Sequence, residues 1–218
     1  KVKRKKEENV NMSQITVLKH SSIHIQAKEG TIYIDPYQIE EASHDAEYIF
    51  ITHSHYDHFS PEDIEKIKKP ETKIITVASS EEEAEKIVGK DQVTVVKPNQ
   101  EKTVGTISFQ TVPAYNRMKP FHPKKNEWVG YILELEGKHI YIAGDTDALP
   151  ELAGISCNIA LVPIGGTYTM TAKEAAKLIN QMQPKKVIPT HYGLIVGNAK
   201  DAKEFQKLVQ NIEVEIQI

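Results

Sequence analysis

A short apolar run, Tyr48-Ile49-Phe50-Ile51, stops at Thr52-His53-Ser54-His55-Tyr56-Asp57-His58-Phe59-Ser60-Pro61, and this junction constrains the chain more than any other stretch. The run is aromatic and β-branched, so it reads as a short buried strand. Ser60 suits a helix N-cap, Pro61 the first helical position, and Glu62 and Asp63 put negative charge in the first turn. Three of the nine histidines therefore fall on a strand-to-helix loop, where a rigid scaffold presents functional groups.

The spacing has a chemical reading. In extended chain, residues two apart point the same way, so His53, His55 and Asp57 can converge. His58 follows at the helix entrance. Imidazoles with a carboxylate suit Zn²⁺, and also Mn²⁺ or Fe²⁺. The bland alternative is a solvated polar loop with chance histidines. It gives no structural purpose for four ligand-type residues after a buried strand.

Composition enters as a set of exclusions. With 39% hydrophobic and 26% charged residues, the 218-residue chain has a soluble globular balance. It is long enough to bury a sizeable core. A net charge of −3 argues against a dominant nucleic-acid or membrane footprint. The lone Cys157 excludes an intrachain disulfide and any Cys-x-x-Cys knuckle, and reads as a small buried apolar residue. No apolar run is long enough to span a bilayer. The charged start, Lys1-Val2-Lys3-Arg4-Lys5-Lys6, has no apolar segment behind it and does not read as a secretory signal. We expect residues 1–12 to be a disordered extension, residues 13–218 to form one domain, and the protein to be cytoplasmic.

Taken in order, residues 15–18, 23–26 and 31–34 read as an antiparallel meander closed by Asp35-Pro36. After the histidine loop we expect a helix over 61–67 closed by Pro70, a strand over 73–77, and a helix over 79–88 capped by Ser80 and ended by Gly89. Strands follow at 93–96, 103–104 and 107–112, the last two around Gly105. Residues 113–127 form a polar loop without period, a length that is usually functional or mobile. A hairpin over 128–136 and 139–143 comes next, then a short helix near 149–152 and a strand over 159–162. Thr171 and Glu174 make a capping box for a helix through Met182, with Ala175, Leu178, Ile179 and Met182 on one face. A strand over 187–189, a helix over 199–208 and an alternating strand over 212–218 finish the chain.

Two more apolar strands end in a ligand-type residue. Ile140-Tyr141-Ile142-Ala143 delivers Asp145, and Val187-Ile188-Pro189-Thr190 delivers His191. Strand ends on one rim are where α/β proteins place their sites. Alone, Asp145 reads as a turn residue and His191 as a packed or exposed histidine; beside the first loop they become candidate ligands.

The pattern His53-x-His55-x-Asp57-His58, then Gly144-Asp145 and a late strand-end His191, resembles the metallo-β-lactamase fold over nearly the whole chain. Tyr33-Ile34-Asp35-Pro36, Pro163-Ile164-Gly165-Gly166, Thr169-Met170-Thr171 and Pro189-Thr190-His191-Tyr192-Gly193 resemble the branch of metal-dependent hydrolases related to ascorbate-6-phosphate lactonase. The resemblance implies an α/β fold of four layers, an αββα sandwich. It implies His53 and His55 at a first metal, Asp57, His58 and His191 at a second, and Asp145 bridging. Two Zn²⁺ per chain would activate a shared water, lowering its pKa from about 16 toward neutrality, and the hydroxide would attack a lactone or phosphoester. Asp57 would be a ligand and a proton acceptor.

The family's third histidine for the first metal falls here on Asn116, in Pro113-Ala114-Tyr115-Asn116. Three outcomes stay open: Asn116 binds weakly or through water, His122 takes the place, or the first site is labile. We expect His122 at the site as ligand or substrate contact, and Asn116→His to raise occupancy of one position. Arg117, Lys119, Lys124 and Lys125 share this loop and would favour a small anionic substrate, with Tyr115, Tyr168 and Tyr192 as rim or substrate residues. A solvated charged loop is the bland reading. His20, His24, His44 and His139 read as non-ligands. Two other functions remain: a phosphodiesterase or nuclease acting on RNA or phospholipid, and a metal-binding protein without catalysis. Nucleic acid is the weaker partner, because no basic domain is appended; homo-oligomerisation is open.

Overall fold

The computed structural model describes residues 14–218. The expected extension over residues 1–12 lies outside the described residues. The meander is β1 (Gln14–Lys19), β2 (Ser22–Ala27) and β3 (Gly30–Ile34), followed by β4 (Ala46–Phe50), α1 (Pro61–Ile67), β5 (Lys68–Val77), α2 (Glu81–Val88) and β6 (Val93–Val96). These six strands form one sheet in sequence order, antiparallel through β3 and parallel from β3 to β6. The second half contributes β7 (Glu101–Val104), β8 (Ile107–Pro113), β9 (Val129–Leu135), β10 (Lys138–Ile142), β11 (Ile159–Pro163), α3 (Ala172–Met182), β12 (Lys186–Thr190), α4 (Ala199–Leu208) and β13 (Glu213–Val214). Its seven-stranded sheet runs β13-β12-β11-β10-β9-β8-β7, antiparallel from β7 to β10 and parallel from β10 to β13.

The layering follows from the period of two along each strand. Tyr48 and Phe50 of β4, Ile75 of β5, Ile140 and Ile142 of β10, and Leu161 of β11 belong to one buried cluster between the sheets. Their neighbours point the other way. Ile49, Ile51 and Ile74 pack with Ile64 and Ile67 of α1 and Ala84 of α2. Tyr141, Ala160, Val162 and Val187 pack with Ala175, Leu178 and Ile179 of α3 and Phe205 of α4. The result is helix, sheet, sheet, helix. Phe50 meets Phe109 and Tyr131 edge-on across the middle, with ring centroids 5.2 and 5.1 Å apart. Burying each such side chain is worth roughly 1.5–3 kcal/mol.

Most elements lie within a few residues of expectation, and the exceptions have local causes. Ser60 caps α1 through its hydroxyl, and the capping box of Thr171 and Glu174 is formed. Pro70 does not close α1; it lies inside β5, which starts at Lys68. Ser80 makes no side-chain cap, because residues Ala78–Ser80 form a 3-10 turn that feeds α2 directly. The short helix near 149–152 is a 3-10 turn, Pro150–Gly154. The expected strand over 212–218 pairs only at Glu213–Val214. Beyond it, Glu215 N still donates to Val187 O, and the Gln217 side chain bonds the backbone of Ile15 and Val17.

Strand direction fixes one rim. β4, β10 and β12 end on it, and two antiparallel steps make β1 parallel to β3 and β8 parallel to β10. Every loop that follows one of these strands opens on that rim.

Candidate metal centre

The histidine loop is held from below. Thr52 N and Oγ1 donate to the buried Asp35 carboxylate at 2.8 and 2.6 Å, and Tyr131 donates its hydroxyl to Ile51 O at 2.6 Å. Gly144 takes φ +64°, and a Cβ there would sit 2.9 Å from Val129 O; glycine lets the chain leave β10 and turn Asp145 into the rim. At Gly165 a Cβ would collide with His191 O, so only glycine admits the β12 end.

Donor atoms fall into three overlapping groups, each within 4.8 Å of its own members: two are separate, His53, His55 and His122, and His20, Asp57, His58 and His191, and the third, His53, His58 and Asp145, draws on both. Asp145 lies between the two separate groups. Its Oδ2 is 3.2 Å from His122 Nε2, 3.0 Å from His191 Nε2 and 4.0 Å from His53 Nε2, and its Oδ1 is 3.3 Å from His58 Nε2. In the other group, Asp57 Oδ2 is 3.3 Å from His20 Nε2, 3.5 Å from His58 Nε2 and 3.8 Å from His191 Nε2. All these residues are buried except His55, which is half-buried.

Asn116 does not point its oxygen at the donors. It accepts at Oδ1 from His122 N at 3.0 Å and from His122 Nδ1 at 2.9 Å, while its Nδ2 donates to Asp147 Oδ1 and Tyr168 O. Two acceptors on Nδ2 fix the amide orientation, and the bond at Nδ1 leaves the lone pair of His122 on Nε2. Asp35 does the same for His58 from 2.7 Å. A partner on the far nitrogen of a histidine is the usual means of aiming a ligand. Trp128 completes the support, its ring centroid 4.8 Å from those of His53 and His55 and 5.6 Å from that of His122.

Burial, then the nearby His58 charge, holds His53 well below the usual histidine range. Burial and the neighbouring His122 lower His55. Both therefore offer neutral lone pairs. Burial would lower His58 as well, but the Asp145 and Asp35 carboxylates outweigh it and raise His58 well above that range. For Asp145, burial is overcome by the His191 and His58 charges, which hold it well below the carboxylate range. Asp57 is lowered against its own burial by His20, 3.3 Å away, and by the His58 charge.

The donor set can be tested against a cation. His20 Nε2, His58 Nε2, His122 Nε2, His191 Nε2 and Asp145 Oδ1 are buried and make no hydrogen bond. Converging orphans of this kind are costly unless an ion takes their lone pairs. The residues fit divalent cations, and imidazole with carboxylate and no thiolate suits Zn²⁺, Mn²⁺ or Fe²⁺.

A pocket of about 210 Å³ opens onto both groups. His55, Asp57, His122, Asp145 and His191 line it together with Tyr56, Phe121, Tyr168 and Ile195. Four expected substrate residues lie outside this lining. Tyr115 and Lys124 line a separate groove of about 490 Å³, with the Lys124 ammonium 4.8 Å over the Tyr115 ring. Arg117 is exposed and outside the pocket lining. Tyr192 is buried, its hydroxyl donated to Ile218 O. Lys119 is bound to Asp147, Gly166 O and Thr169 O. His20, read from the sequence as a non-ligand, is 1% exposed and stands beside the second group's donors. Meander parity was the available signal, since two antiparallel steps carry the turn after β1 to the rim of β3.

Comparison with known proteins agrees with this geometry. The family profile described as the beta-lactamase superfamily domain matches residues 14–191. A UPF0173 metal-dependent hydrolase of Thermococcus onnurineus is 33% identical over 213 residues, covering 91% of this chain and 92% of the relative. Another from Pyrococcus furiosus is 33% identical over 215 residues, with the same coverage. The crystal structure of a protein described as a metal-dependent hydrolase from Parabacteroides distasonis superposes with a TM-score of 0.82 at 30% identity, covering 94% and 92% of the two chains. The described residues include no helix long and apolar enough to cross a membrane. The chain belongs to the beta-lactamase superfamily, within its UPF0173 family of metal-dependent hydrolases.

Proposed function

We propose that this hydrolase holds two divalent cations, Zn²⁺ first and Mn²⁺ or Fe²⁺ as substitutes, and cleaves an ester-type bond of a small molecule. One observation carries the reading: two donor groups share Asp145 and open onto a single pocket. His53, His55 and His122 would hold one ion, and Asp57, His58 and His191, joined by His20, the other. When bound, the ions supply Lewis-acid polarisation and acidify water.

The chain's own residues do the rest. Asn116 and Asp35 keep Nε2 of His122 and His58 aimed inward. Asp57, ionised and on the pocket wall, would accept a proton from the attacking water. Phe121, Tyr168 and Ile195 exclude bulk water from the pocket side. The reacting unit is a lactone or other carboxylic ester, with a phosphoester as the second form. The metal-binding alternative without catalysis rested on a missing third donor, and His122 beside His53 and His55 weakens it.

The test is elemental analysis of protein purified without added metal, then hydrolysis of a panel of lactones, carboxylic esters and phosphodiesters with that metal. Two ions per chain with turnover is the expected result. Bound metal with no turnover on any panel member would sink the enzymatic reading of the site.

A further inference from the structure

The pocket over the donor groups has an uneven chemistry. Its four non-donor residues are Tyr56, Phe121, Tyr168 and Ile195, and no lysine or arginine lines it. Two cations of the 113–127 loop are engaged elsewhere, Lys119 by Asp147 and two carbonyls and Lys124 by the Tyr115 ring in a different groove, while Arg117 and Lys125 are exposed and outside the pocket lining. Meanwhile the rim exposes apolar surface. Tyr56 is 66% exposed and Phe121 39%, and Met118, on the same loop as Phe121, is 94% exposed. Leu194, next to Ile195, is exposed as well. The aromatics are ordered against one another: Phe121 meets Tyr168 edge-on at 4.7 Å, and Tyr56 meets Tyr37 at 6.0 Å.

Exposed aromatics gathered at the mouth of a reactive pocket are a binding feature, because a monomer has no stability reason to keep them there. Away from the donor residues, an anionic substituent would leave water for a wall with no lysine or arginine to receive it. A pocket of about 210 Å³ is also smaller than the roughly 300–1,000 Å³ typical of drug-sized ligands.

We propose, resting on the hydrolase reading above, that the substrate is a small ester or lactone whose groups flanking the scissile bond are uncharged and apolar. Phe121, Tyr168, Tyr56 and Ile195 are its specificity residues. Beyond the reacting unit itself, the substrate carries no phosphate or carboxylate.

The test uses matched probes. Metal-loaded protein is assayed with 4-nitrophenyl butyrate and with 4-nitrophenyl hemisuccinate, which differs by a terminal carboxylate. Binding of the corresponding uncleaved anilides, neutral and acidic, is measured by calorimetry. The expected result is at least a tenfold advantage for the neutral probe in kcat/KM and in Kd. Phe121→Lys is expected to shrink or invert that ratio while leaving metal content unchanged. Equal or better handling of the acidic probe by the wild type overturns the inference and leaves the hydrolase reading intact. Selective binding of the neutral anilide with no ester cleaved sustains the inference and defeats the hydrolase reading. A ratio untouched by Phe121→Lys removes Phe121 from the specificity residues and overturns the proposed wall.

Discussion

The two donor groups differ in what stands behind them. His53, His55 and His122 are backed by neutral partners: the Thr52 hydroxyl, the Asn116 amide and the Trp128 ring. One of its three histidines is only half-buried, and another comes from the long loop before β9. His20, Asp57, His58 and His191 are all buried, come from three strand ends, and are backed by the Asp35 carboxylate through His58. A carboxylate behind an imidazole raises its basicity more than an amide does. The difference teaches that the second group is built into the scaffold, whereas the first depends on a loop folded around one asparagine. We expect the first ion to be the weaker.

The largest effect should come from removing what the groups share. Asp145→Ala is expected to lower occupancy of both ions, read by elemental analysis after desalting; loss of only one would break the bridging role. Asp35→Ala should weaken the second ion more than the first, by about 10–100-fold in a metal titration. It also leaves Thr52 N–H and His58 without their buried acceptor, at about 1–3 kcal/mol for each in denaturant unfolding. Equal weakening of both ions would erase the contrast between the groups.

Asn116→Ala should act on the first ion alone and by less, since His122 loses the acceptor of its N–H and its Nδ1 but keeps the bond from Asn116 N to its carbonyl. The earlier expectation for Asn116→His is withdrawn: the site is 6% exposed, and a ring there would displace His122 instead of assisting it. The smallest effect serves as a control outside both groups. Burial pushes the Cys157 thiol up to about 12, so alkylation at neutral pH should be slow, and Cys157→Ala should leave both ions unchanged.

Local patterns were legible because they need no partner. The Tyr48–Ile51 run, the Ser60 cap and the Thr171 box each depend on neighbours in sequence, and each stands where expected. The strand-end donors Asp145 and His191 were legible for the same reason. What failed was long-range. His20 carries no local mark of a ligand; only the parity of the meander brings it to the rim. Asn116 occupies the place where the resemblance implied a histidine, yet its role is set by Asp147 and Tyr168, 31 and 52 residues away. Lys119 reads as a free loop cation because its partners, Asp147 and the carbonyls before α3, are not visible from the loop's own sequence.

The central claim is that His122, held by Asn116, completes a first cation group beside a separately built second one. Metal content of purified His122→Ala, measured by elemental analysis beside the wild type and with the fold checked by circular dichroism, tests it most directly. The account predicts a fall from two ions per chain to one. Two ions retained in the folded variant would contradict it.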